Sequence, residues 1–120
     1  MNFKAEYPSI TSQSISLSVP KHWEFYVDML LKAFSWNQQH ESGWEELQVL
    51  QVKEKFGTLR VYAKLGESAS DADRACLNGM VSMVERLSAN TCAECGSHTD
   101  VKICTTQTSK WLLPRCPAHQ

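Results

Sequence analysis

The chain predicts an α+β fold: two helices packed on a small antiparallel sheet, followed by a C-terminal zinc-ribbon hairpin. Three observations carry this. Apolar residues recur at three and four over residues 21–38 and 71–89, the spacing of amphipathic helices, and they alternate at period two over 14–19 and 44–65, the spacing of half-buried strands. Two metal-ligand pairs, Cys92-x-x-Cys95 and Cys116-x-x-His119, are then separated by twenty residues, enough for a hairpin to bring them to one point. At 120 residues the chain makes one domain, read as a polar N-terminal arm (1–13), an α+β body (14–90) and the ribbon (91–120).

Residues 1–13 are polar and rich in Ser and Thr, which suggests an arm or an irregular edge. Ser14-Ile-Ser-Leu-Ser-Val19 places Ile15, Leu17 and Val19 on one face of a strand that Pro20 stops. With Ser18 available as a cap, a helix follows from Lys21 to Gln38, its core stripe being Trp23, Tyr26, Val27, Leu30, Leu31 and Phe34.

A loop over 37–43 leads into a hairpin closed at Phe56-Gly57. Its first arm turns Leu50 and Val52 inward and Gln51 and Lys53 outward. Its second turns Leu59, Val61, Ala63 and Leu65 inward and Arg60, Tyr62 and Lys64 outward. Ser70 and Asp73 then form a capping box with Asp in place of Glu, opening a helix over 71–89 that is expected to bury Cys76, Met80, Met83 or Val84, and Leu87. Asn90 suits a left-handed cap at its end. The ribbon's own strands are read at Val101–Thr105 and Trp111–Leu113.

Thiolate and neutral imidazole are preferred zinc ligands, and Cys92, Cys95, Cys116 and His119 make a closed Cys3His set for one structural Zn²⁺. Gly96 suits the tight turn of a knuckle and Pro117 fixes one φ of the second pair. His98 and Cys104 lie between the pairs as substitute ligands, though Cys104 sits mid-strand where a packed side chain is expected, as is Cys76 on its helix. Five cysteines, an odd number, with metal spacing point to a reducing cytoplasm.

A net charge of −1 gives no global basic field of the kind that drives bulk nucleic-acid binding. No signal peptide and no membrane span are expected, since no charged start leads into an apolar run and none approaches eighteen residues. A local basic strip remains on the outward hairpin face: Lys53, Lys55, Arg60, Tyr62 and Lys64. It reads either as a partner-binding surface or as a solvated face whose lysines discourage edge pairing. Trp44 and Trp111 belong either to the core or to a docking surface.

His22-Trp-Glu24 with Cys92-x-x-Cys95 resembles the H-x-E … P-C-x-x-C set of zinc deaminases. Here no Pro precedes Cys92, and Cys116 with His119 completes the site better. There is no nucleophile elbow and no Gly-rich phosphate loop.

Gln51-Val-Lys-Glu-Lys-Phe-Gly-Thr-Leu-Arg-Val-Tyr62, a following helix, and Thr91-Cys-Ala-Glu-Cys-Gly96 … Lys110-Trp-Leu … Cys116-x-x-His119 together resemble a family of small, uncharacterised bacterial and phage-borne proteins. These carry a KEKFGxLRxY hairpin ahead of a C-terminal CxxC…CxxH zinc site. The resemblance covers residues 44–119, and it implies a prokaryotic or phage origin and no particular activity. The resulting expectation is a non-enzymatic structural-zinc adaptor or inhibitor that binds a protein. A nucleic-acid-binding zinc ribbon is the alternative, a deaminase-like enzyme the third reading, and the oligomeric state stays open.

Overall fold

The computed structural model describes the backbone of residues 1–120 and all side chains except those of Gln13, Ser14 and Ser16. The fold is α+β. In chain order it comprises α1 (Phe3–Glu6), β1 (Thr11–Ser18), a 3-10 turn (Lys21–Trp23) running into α2 (Glu24–His40), β2 (Gln48–Lys55), β3 (Thr58–Lys64), α3 (Asp71–Ala89), β4 (Lys102–Cys104), β5 (Leu113–Arg115) and a second 3-10 turn (Pro117–His119). β1, β2 and β3 form one sheet in that order, and β4 and β5 form the ribbon.

The larger sheet is mixed, where an antiparallel one is expected. β2 and β3 are an antiparallel hairpin, but β1 runs parallel to β2, with Leu17 opposite Val52 and Ser18 opposite Lys53. The reason is the connection: α2 carries the chain back along the sheet, so β2 starts from the same end as β1.

The core stripe of α2 is as its periodicity requires. Trp23, Val27, Leu30, Leu31 and Phe34 are buried, and Tyr26 packs at their edge. They meet Val49, Val52, Leu59 and Val61 from the sheet and Trp44 and Leu47 from the loop, Trp44 lying against Phe34 with ring centroids 5.9 Å apart.

Four local expectations are corrected. The segment 1–13 is not a polar arm: Phe3, Tyr7 and Ile10 are buried in the core, Tyr7 donates its hydroxyl to Asp28 Oδ1, and the Ile10 carbonyl accepts from Val49 N–H at 2.7 Å. These three large side chains suffice because each falls where a short helix or turn can aim it inward. Leu50 faces solvent, because a register shift between Val49 and Gln51 inserts an extra residue; Val49 is buried in its place, while Val52 points inward as expected.

On α3 the buried residues are Leu77, Val84 and Ser88, with Met80 and Val81 partly covered, whereas Cys76, Met83 and Leu87 are exposed. Both stripes have helical spacing, and docking against β3 selects one about a residue round from the other. There Glu85 accepts from the Val61 N–H on the outer edge of β3 at 3.2 Å. Asn90 is not left-handed (φ −104°); its side-chain amide donates to the Arg86 carbonyl while its N–H bonds Leu87 and Ser88. The capping box is present in both directions, Ser70 Oγ accepting from Asp73 N–H at 3.1 Å and Asp73 accepting from Ser70 N–H at 2.9 Å.

The hairpin turn sets the ribbon's position. Phe56 and Gly57 both have positive φ (54° and 82°), the pairing of a tight two-residue hairpin turn. A methyl group on Gly57 would stand 2.5 Å from Ile103 Cγ2 and 3.1 Å from the Leu112 carbonyl oxygen, so the tip of the β2–β3 hairpin lies directly against the ribbon.

Candidate metal centre

The ribbon's strands pair Lys102 with Arg115, Ile103 with Pro114 and Cys104 with Leu113. This pairing brings the knuckle after α3 beside the chain's end. The Cys92, Cys95 and Cys116 sulfurs and a His119 ring nitrogen all lie within 4.8 Å of one another, so the four residues could hold a metal ion. Cys95 and Cys116 sulfurs are 3.7 Å apart, and His119 Nδ1 is 3.7 Å from Cys92 Sγ and 3.3 Å from Cys116 Sγ. A tetrahedron with Zn–S bonds of about 2.3 Å has sulfurs about 3.8 Å apart, so the spacing fits a zinc-sized ion. It is far too long for a disulfide, whose sulfurs stand about 2.05 Å apart.

The backbone prepares the Cys92 sulfur for a cation. Burial pushes the Cys92 thiol up, but the backbone N–H groups of Cys116, Cys95 and Glu94 outweigh it and bring Cys92 down to about 6. The Ser97 N–H favours the Cys95 thiolate, yet desolvation and the neighbouring sulfurs of Cys116 and Cys92 leave that thiol above its ordinary value. Gly96, at φ +81°, closes the knuckle, with its N–H on the Cys92 carbonyl and the Cys92 N–H on the Ser97 carbonyl, both at 2.8 Å.

The substitute ligands stand apart from the donors. His98 is exposed and its Nδ1 lies 3.3 Å from Thr91 Oγ1, and Cys104 sits on β4. His22 stands beside the knuckle, 3.1 Å from where a Gly96 methyl would be, and is not one of the four donors.

Several residues that hold the ribbon carry no recognisable motif. Arg115 is buried, and its guanidinium donates to Glu94 Oε1 and to the carbonyls of Cys104 and Trp111. Tyr26 reaches from α2 to Thr91, the residue before the first cysteine, at 2.8 Å. Trp111 donates its indole N–H to Glu54 Oε1 at 2.7 Å, tying the ribbon to β2. An Arg beside a ligand cysteine is the one signal in the sequence that could have drawn attention to this scaffold.

Of the basic strip, Arg60, Tyr62 and Lys64 are exposed and Lys53 is half-buried on the same sheet face. Lys53 stands directly opposite Arg60, with its ammonium 5.8 Å from the Tyr62 ring centre. Lys55, two residues along β2 from Lys53 and opposite Thr58, stands at the hairpin tip with its ammonium 5.9 Å from the Phe56 ring centre. Trp44 is core and Trp111 is exposed. No helix among the described residues is long and apolar enough to cross a membrane. Comparison with protein-family models, curated proteins and solved structures finds no match for this chain.

Proposed function

We propose that the chain is a non-enzymatic protein with one structural zinc that works by binding another protein. The observation carrying this reading is the closed set of three sulfurs and one imidazole within 4.8 Å. Zinc held by four protein ligands has no position left for a water to be activated, so its role is to fold the ribbon and fix it against the hairpin. The deaminase-like third reading loses support on the same ground, since His22 stands outside the donor set. The resemblance of residues 44–119 to bacterial and phage-borne proteins supports a prokaryotic or phage origin, and the adaptor or inhibitor role rests on the small size, the slight acidity and the closed donor set. Three thiolate ligands suit a reducing cytoplasm.

Nucleic-acid binding is the second reading, favoured by the common sheet face of Lys53, Arg60, Tyr62 and Lys64. The test combines elemental analysis of protein purified without chelator with crosslinking in host cells. One zinc per chain and crosslinked partners that survive nuclease and high salt support a protein-binding role. Partners lost to nuclease, with affinity falling steeply in salt and on reversal of Lys53, Arg60 and Lys64, support the second reading.

A further inference from the structure

The β2–β3 turn presents an aromatic side chain where one is conformationally costly. Phe56 has φ +54°, a region that bulky residues avoid, and it is 71% exposed. Asn, Asp or Gly would make the same turn without that strain. A strained, solvent-facing phenylalanine contributes nothing to this chain's own core, and such outliers gather at functional surfaces.

Phe56 does not stand alone. Together with Glu54, Lys55, Lys110, Trp111 and Leu112 it lines a groove of about 470 Å³ between the hairpin tip and the ribbon. Trp111 is 64% and Leu112 38% exposed. The Trp111 ring is held in place by its hydrogen bond to Glu54, so docking on it would cost little side-chain entropy. Aromatic anchors of this kind supply most of the energy at protein interfaces.

The charges around the groove select its occupant. The one carboxylate, Glu54, is already engaged on both oxygens, by the Trp111 indole and by the Gly57 N–H at 2.8 Å. Lys55 and Lys110 are exposed, and neither belongs to any of the ion pairs formed among the described residues. From this charge complementarity we infer that the groove docks a peptide segment of a partner protein in which a large apolar side chain is flanked by carboxylates. The inference rests on the protein-binding reading above and names its surface and its partner's chemistry.

The test pans a phage-displayed library of random twelve-residue peptides against the full, zinc-loaded chain. Selected peptides are expected to carry Leu or an aromatic residue beside Asp or Glu. Their synthetic forms should bind at least tenfold more weakly to Phe56→Ser and to the double variant Lys55→Glu/Lys110→Glu. Both substitutions are at exposed positions, and unchanged zinc content and melting temperature will verify the fold. Basic or neutral selected peptides, binding indifferent to both variants, or no enrichment would overturn the inference. A cellular protein partner retained in full by both variants would overturn this groove alone and leave the protein-binding reading standing. Partners lost only on nuclease treatment would remove that reading as well.

Discussion

Tyr26 on α2 and Thr91 at the start of the ribbon share a hydrogen bond of 2.8 Å across sixty-five residues of sequence. Thr91 is buried, and its single hydroxyl proton goes to the Leu87 carbonyl, also at 2.8 Å, so Tyr26 is the donor. The bond fixes the end of α3 to α2 one residue before the first ligand cysteine. Tyr26→Phe removes it and leaves one lone pair of Thr91 unused, at a cost of about 1 kcal/mol. We expect a melting temperature lower by a few degrees with zinc content unchanged, read by thermal unfolding and elemental analysis.

The N-terminal segment tests how burial overrides local composition. Phe3 is 3% exposed and packs in the main core although most of residues 1–13 are polar. Phe3→Ala should destabilise by about 3–5 kcal/mol, the range for a core phenylalanine, measured by urea denaturation. A change below about 0.5 kcal/mol would return the segment to the status of a polar arm.

This segment also marks where the sequence is legible. The core stripe of α2, the hairpin turn at Phe56-Gly57, the Ser70–Asp73 capping box and the clustering of Cys92, Cys95, Cys116 and His119 each follow from periodicity or spacing, which are local rules. What was not legible depends on partners distant in sequence. Leu50 and Gln51 look like any alternating pair until Val49 pairs with Ala63 and Gln51 with Tyr62, leaving Leu50 without a partner on β3, and the apolar face of α3 is ambiguous until β3 chooses Leu77 and Val84 over Cys76 and Met83. The parallel pairing of β1 likewise follows from where α2 delivers the chain, which no pattern within β1 encodes. At the candidate metal centre the four donors are legible, whereas the bonds from Arg115, Tyr26 and Glu54 around them have no spacing to reveal them.

Two glycines make opposite predictions. Gly57 combines φ +82° with close approach to Ile103 and Leu112, so Gly57→Ala should strain the turn and push the ribbon away, costing about 1–3 kcal/mol or more. Gly79 lies within α3, and nothing comes within 4 Å of a methyl group placed there. Gly79→Ala should stabilise the chain by up to about 1 kcal/mol. Denaturation midpoints of the two variants moving in opposite directions are the expected result.

The α3 cap carries a pH dependence of definite sign. Asp73 is held below the ordinary 3.8, first by the Ser70 N–H and then by the Ser70 hydroxyl, with smaller help from the Trp44 indole and Arg74 against a desolvation that raises it. A depressed carboxyl contributes stability that is present above 3.8 and is lost as pH falls through its lower folded value. Asp73→Asn should therefore flatten the acid limb of stability against pH below about 4 and leave the neutral limb parallel to wild type. Urea unfolding at pH 2.5, 4 and 7 checks this.

The choice between His119 and His98 decides whether the metal set is closed by the C-terminus. His119 Nδ1 is 3.3 and 3.7 Å from two ligand sulfurs, whereas His98 is exposed and turned to Thr91. Removing a ligand opens a coordination position and weakens the metal's hold, while removing a bystander does neither. His119→Ala and Cys92→Ser should each lose zinc to a competing chelator at concentrations that leave wild type and His98→Ala loaded. Because residues 91–120 bury little apolar surface beyond Cys92, Pro114 and Cys116 and contribute nothing to the main core cluster, zinc loss should raise amide exchange in the ribbon first and spare the amides of α2 and β2. Equal retention by His119→Ala and wild type, or exchange rising uniformly through the body, would show that the ribbon does not depend on this imidazole or that it folds as one unit with the sheet.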